Sequence, residues 1–209
     1  MSVYTQLTDE QFAAFCQRFG VSFARAIPIT QGIKNSNWFI QTTDDVDGAH
    51  SYVFTLFEER PPEDIEKMAV ILNQLDGKLP VAAPLALLDL GADSAEKGYV
   101  IRYDNKAITL VPCLAGAHPQ QTTQAMCYEI GAALAMLHET LQALQPAEEY
   151  GVPLYPWAEV RDREMQFMPG DEAKLMSDIW RAYSDLPLAT LPRGLCHLDM
   201  FADNTLWDL

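Results

Sequence analysis

The hydrophobic pattern of this chain changes period once, at the connector Pro112-Cys113-Leu114-Ala115-Gly116-Ala117-His118-Pro119. Before it, apolar residues gather in short β-like runs at 27–30, 37–42 and 51–57, parted by Gly32 and by a polar turn at 44–48. Two further runs, 98–103 and 107–111, meet at Asp104-Asn105, which reads as a hairpin turn. After the connector, Met126, Ile130, Leu134, Leu137 and Leu141 recur at steps of four, four, three and four, which predicts a long core-facing helix. Short antiparallel runs followed by helices predict an α+β chain of two lobes joined by a hinge, residues 1–112 and 113–209.

Local signals fill in the two parts. Thr8-Asp9-Glu10-Gln11 is a capping box ahead of Phe12, Phe15, Cys16 and Phe19 at helical spacing, with Gly20 as the stop. Pro61-Pro62 introduces a helix whose Ile65, Met68, Ala69, Leu72 and Leu75 share one face and which closes near Asp76-Gly77. In the second part Asp171 is placed to N-cap a helix carrying Leu175, Ile179 and Tyr183. The segments 191–196 and 205–207 read as short buried strands around a polar loop.

Charge and composition exclude several classes. The chain carries 29 acidic against 14 basic residues, a net charge of −15, and such a surface repels nucleic acid and anionic membrane, so neither is expected as a partner. The apolar stretches are too short to span a bilayer and the N-terminus lacks a basic start and an apolar core, so a cytoplasmic protein is expected. Cys16, Cys113, Cys127 and Cys196 form no C-x-x-C pair. Each sits in an apolar context that suits a packed free thiol rather than a disulfide or a zinc site.

The polar loop carries the chemistry. His197, Asp199 and Asn204 stand in an H-x-D-x-x-x-x-N spacing, the layout of a kinase catalytic loop. Phosphoryl transfer needs a carboxylate to orient the acceptor hydroxyl and take its proton, and an amide oxygen to hold a metal ion against the phosphates. Asp199 and Asn204 are the candidates for those tasks, and His197 for holding the loop backbone. Such a match arises by chance in roughly one chain in a hundred of this length, and the alternative is a polar turn with Asp199 capping a local N–H. The segment Gln31-Gly32-Ile33-Lys34-Asn35-Ser36-Asn37, between the first two runs, offers Gly32, Asn35, Ser36 and Asn37 as donors to a phosphate; its alternative reading is a hairpin turn.

With these residues in view, the chain resembles the homoserine kinases of the aminoglycoside-phosphotransferase-like, protein-kinase-fold superfamily. The likeness rests on residues 32–39, 52–58, 79–84, 130–138 and 196–207. It implies a two-lobed protein-kinase-like fold, with an N-lobe of antiparallel sheet plus helix and an incomplete helical C-lobe. It also implies ATP and Mg2+ as cofactors and a small hydroxyl-bearing substrate, L-homoserine first. Asp199 would be the catalytic base, assisted by His197, and Asn204 a magnesium ligand. Backbone groups around Val111, Cys113 and Leu114 would hold the adenine edge.

Two departures from the superfamily pattern stand out. Thr55 occupies the strand position where many kinases keep a phosphate-pairing lysine, with Glu66 as the nearest helix glutamate and Lys34 or Arg102 as distant substitutes. The second metal-binding aspartate has no position before Leu209, so little turnover is expected of these 209 residues alone. Two other readings stay open: a kinase of the same fold for an aminoglycoside, choline or sugar, and a pseudokinase-like module that holds nucleotide without transferring phosphate.

Overall fold

Thr8 opens the first helix as its sequence requires. In a computed structural model that describes residues 5–30, 34–43, 51–88, 98–143, 157–187, 190 and 194–208, its side chain accepts from the Gln11 N–H while the Gln11 side chain accepts from the Thr8 N–H. That reciprocal cap satisfies two orphan donors and starts α1, Asp9–Arg18.

A five-stranded antiparallel sheet follows, in the order β1-β2-β3-β5-β4, built from β1 Phe23–Ile29, β2 Asn35–Thr42, β3 Tyr52–Phe57, β4 Ile101–Tyr103 and β5 Lys106–Pro112. The β4–β5 turn places Asp104 and Asn105 at φ 47° and 60°, the left-handed pair that a two-residue hairpin of this twist requires. β2 begins two residues earlier than its sequence run. Asn35 and Ser36, read from sequence as loop, pair with Phe57 and Leu56.

Strand alternation sorts the side chains into two faces. Trp38, Ile40, Phe54, Leu56, Ile108 and Leu110 lie under α1 with Phe12, Cys16 and Phe19. Phe12, Trp38 and Phe54 meet edge to face, with ring centroids 5.1–5.8 Å apart. Each of these buried side chains contributes about 2 kcal/mol of hydrophobic stabilisation before entropy is counted. The Cys16 thiol is pushed up to about 12 by its burial there. The opposite face meets α2, Pro62–Leu75, whose Ile65 and Ala69 pack with Ala107, Tyr99 and Val100.

Beyond the connector lies α3, Gln124–Gln142, N-capped by Thr123 onto the Met126 N–H. Only Leu137 and Leu141 of its predicted stripe are buried, in a cluster with Leu75 and Leu79. The first half of the helix is open, so the periodicity marked a face without marking its cover.

The chain divides into two compact units, residues 1–151 with 195–209, and residues 152–194. In the second, α4 (Trp157–Met165) and α5 (Gly170–Ser184) bury no residue, and the Arg161 guanidinium lies 4.2 Å from the centre of the Trp180 ring. The N-cap of α5 is Pro169, so Asp171 falls inside the first turn beside Glu172, where its charge faces the positive end of the helix dipole. Leu175, Ile179 and Tyr183 are exposed. Among the described residues no helix is long and apolar enough to cross a membrane.

All four cysteines are free. The packed environment expected for each holds for Cys16 but not for Cys127 and Cys196, which are exposed.

Candidate functional site

Leu195 and Met200 pin the polar loop to the molecule by packing against the cluster of Leu75, Leu79, Leu137 and Leu141. Between them the chain turns outward. Leu198 adopts φ 62°, a left-handed conformation that costs an L-residue about 1–2 kcal/mol and that recurs where function holds a backbone in strain. The Asp199 N–H donates to His197 Nδ1 at 3.3 Å, so that ring nitrogen is the acceptor and the ring proton sits on Nε2. His197 thus contacts the loop backbone beside Asp199.

The Phe201 N–H donates to the Asp199 carbonyl at 3.0 Å, and a short 3-10 helix, Ala202–Asn204, follows. Its last residue folds back. Asn204 Nδ2 donates to the Asp199 carbonyl at 2.6 Å and to Asp199 Oδ2 at 3.1 Å. The amide nitrogen is thereby occupied, and Oδ1 of Asn204 has no hydrogen-bond partner among the described residues. An amide oxygen beside a carboxylate, both exposed, is a hard-oxygen donor set that suits magnesium, which keeps several waters and takes few protein ligands. Among the described residues no group of three or more His, Cys, Asp or Glu side chains is arranged for a metal.

The flanks of the loop differ from their sequence reading. Residues 191–193 lie outside the described residues, 194–200 form no strand, and along 205–207 only Trp207 pairs, as a single bridge to Ala117. A strand needs a partner backbone over several residues, and here it has one for a single residue.

The phosphate-loop candidates are divided by the pleat of β2. Gly32 lies outside the described residues. Asn35 and Asn37 fall on the odd-numbered side of the strand, opposite α1: Asn37 is in register with Thr55 and Thr109 across β3 and β5, and Asn35 with Phe57 and Ala107. Val111 lies on the same side of β5, two residues past Thr109. Ser36 points the other way, fully buried, and its hydroxyl donates to Glu58. At the end of β5 the Cys113 N–H donates to the Ser51 carbonyl at 2.9 Å, and burial pushes the Cys113 thiol up. Leu114 is exposed.

The nearest helix glutamate has another partner, and so has one of the two substitutes for the missing lysine. Glu66 Oε1 accepts from the Tyr99 N–H at 3.1 Å, Arg102 forms an exposed ion pair with Glu63 at 3.4 Å, and Lys34 faces solvent.

One polar cluster has no forerunner in the sequence reading. Lys106 Nζ donates to Glu58 Oε2 at 2.5 Å and to Thr5 Oγ1 at 2.7 Å, while the Thr5 N–H and hydroxyl and the Ser36 hydroxyl also donate to Glu58. Burial alone would raise the Glu58 carboxyl; the hydrogen bonds from Lys106, Ser36 and Thr5 outweigh it and hold it below the ordinary value. The only sequence signal for this pairing is parity: Phe57 opposite Ala107 puts Glu58 opposite Lys106.

Residues 25–208 match the phosphotransferase enzyme family. The chain is 34% identical over 212 residues to a homoserine kinase of Neisseria meningitidis serogroup B, covering 100% of this chain and 65% of that protein. It is 31% identical over 216 residues to a homoserine kinase of Ralstonia pickettii, covering 100% and 62%. The chain therefore spans a little under two thirds of the length of these relatives. Among solved structures, a mutant of aminoglycoside 2'-phosphotransferase IIIa in complex with GDP aligns at a TM-score of 0.65 with 16% identity, over 96% of this chain and 67% of that one. A spectinomycin phosphotransferase in complex with ADP and spectinomycin aligns at 0.59 with 16% identity, over 98% and 67%. At that identity the likeness shows the fold: α+β and protein-kinase-like, as the sequence led one to expect.

Proposed function

This chain belongs to the phosphotransferase enzyme family, and from that membership we propose that it transfers the γ-phosphoryl group of ATP to the hydroxyl of a small metabolite, L-homoserine first. The observation that carries the reading is the fold-back of Asn204 onto Asp199, which gathers a carboxylate and an open amide oxygen at one exposed loop. The choice of homoserine is supported by the homoserine kinase relatives at 34% and 31% identity.

In this reading Asp199 accepts a hydrogen bond from the acceptor hydroxyl and takes its proton as the oxygen attacks the γ-phosphorus. The bond from that phosphorus to the bridging oxygen breaks, and ADP leaves with the electron pair. Asn204 Oδ1 would hold magnesium, which would supply positive charge against the phosphates. His197 keeps the Asp199 backbone in its outward turn. The odd-numbered face of β2, β3 and β5, with Asn35, Asn37 and Thr55, receives the nucleotide, and the backbone from Val111 through Cys113 to Leu114 meets the adenine edge. Residues 1–112 then form the nucleotide-covering lobe and 113–209 the part that carries the loop. ATP and its acceptor meet in aqueous solution, and the reading places the protein in the cytoplasm.

A second reading is favoured by Thr55, an uncharged side chain at the centre of β3 where a phosphate-pairing cation is expected: a module that binds nucleotide without transfer. The experiment that separates the readings is an ADP-formation assay on the full natural protein containing this chain, with ATP, magnesium and, in turn, homoserine, choline and kanamycin. Homoserine-dependent ADP formation supports the first reading. Turnover with another acceptor and none with homoserine overturns the choice of substrate, and ADP binding with no acceptor-dependent turnover favours the module.

A further inference from the structure

The segment after β5 and the segment after the polar loop are fastened to each other at one place. The Ala117 N–H donates to the Trp207 carbonyl at 2.9 Å and the Trp207 N–H donates to the Ala117 carbonyl at 3.0 Å. One residue on, His118 Nδ1 lies 2.9 Å from the Thr205 carbonyl oxygen, an atom that only accepts, so the ring nitrogen donates. Thr205 is held from further sides: its hydroxyl donates to the Ala202 carbonyl at 2.8 Å and accepts from Trp207 Nε1 at 2.9 Å.

Gly116 makes the approach possible. Its φ of 119° is one that residues with a Cβ rarely adopt, and a Cβ there would stand 3.1 Å from both the N and the O of Trp207. The neighbours of this fastening are telling. Three residues before Ala117 lies Leu114, the end of the backbone assigned to the adenine edge, and directly before Thr205 lies Asn204.

We propose that Gly116 and His118 form a clasp that positions Asn204 relative to the base-holding segment, with His118 a positioning residue acting through the Thr205 carbonyl. The inference rests on the reading of Asn204 as the metal ligand. The polar loop has few other anchors. Leu195 and Met200 pack at its start, whereas past Asn204 the first contact with another segment is the clasp. Loosening it leaves Asp199 in place, because the packing of Leu195 and Met200 and the bond from its N–H to His197 hold that end, and it weakens the hold on Asn204, whose amide oxygen then wanders. The effect therefore falls on magnesium-dependent nucleotide binding and spares the acceptor.

The test is calorimetric titration of ADP into the full natural protein, with and without magnesium, for the wild type, His118→Ala and His118→Asn, beside a thermal melt of each and the acceptor KM. The magnesium-dependent gain in ADP affinity should fall about fivefold in His118→Ala, the size of one neutral hydrogen bond. It should return in His118→Asn, whose amide N–H can reach the same carbonyl, and the acceptor KM should hold. A gain unchanged in His118→Ala overturns the clasp and leaves the kinase reading standing. So does a loss that follows the melting temperature and is not restored by asparagine, since that is a merely structural role. A wild type with no magnesium-dependent gain overturns Asn204 as ligand, and the clasp with it.

Discussion

Trp38, Phe54 and Leu110 are sealed under α1, while Leu198 and Phe201, as apolar as any of them, stand 74% and 66% exposed on either side of Asp199. The sheet is held by burial on two faces and by ladders on every inner strand. The loop has Leu195 and Met200 as its apolar anchors and is otherwise held by individual hydrogen bonds: Asn204 onto Asp199, Asp199 onto His197, His118 onto Thr205. The contrast teaches that the fold and the candidate site rest on different interactions, so a substitution in one region should leave the other's property nearly intact.

The largest expected effect tests that independence at the loop. Asp199→Asn in the full natural protein should lower kcat about a thousandfold, within the range for loss of a general base, while circular dichroism and the thermal melt stay as in the wild type. A melt that drops with activity would show that the loop carries fold stability and would break the comparison. Next comes the sheet. Phe54→Ala should cost about 3–5 kcal/mol in denaturant unfolding, the usual loss for a buried phenylalanine, with kcat per folded molecule unchanged.

A smaller effect sharpens the sheet side through pH. The Glu58 carboxyl titrates below its ordinary value when folded, so its contribution to stability is complete above the ordinary carboxylate range. It is lost as pH falls through the depressed folded value. Glu58→Gln should cost about 2 kcal/mol at neutral pH, mostly from leaving Lys106 without its anion, and should flatten the acid limb of unfolding free energy against pH. An acid limb identical to the wild type would remove Glu58 from that role. The smallest effect belongs to the exposed pair of Arg102 and Glu63: Arg102→Ala should leave the melt unchanged, since surface ion pairs are screened by solvent.

What could be read from the sequence was local or periodic. The capping box at Thr8, the Asp104-Asn105 hairpin, the buried Ile65 and Ala69 of α2 and the H-x-D-x-x-x-x-N spacing each involve residues near one another in the chain, so their chemistry is written in order. Ser36 was offered as a phosphate donor because its alternation with Asn35 and Asn37 matters only once β2 is known to start at Asn35. Glu58 and Lys106 are 48 residues apart, and His118 and Thr205 are 87 apart, so no spacing rule reaches them. The helical stripe of α3 told which side chains share a face, but the exposure of its first half depends on what lies against it, which periodicity does not encode. Strands are expected around the loop because apolar runs flank it; those runs instead supply Leu195 as an anchor and Trp207 as the bridge partner of Ala117.

The most direct measurement is phosphorus NMR of the full natural protein incubated with ATP, magnesium and L-homoserine. On the phosphotransfer reading, a new phosphomonoester signal grows in step with ADP and is absent when Asp199 is replaced by Asn. ATP converted only to ADP and inorganic phosphate, or left intact while homoserine stays unmodified, would contradict it.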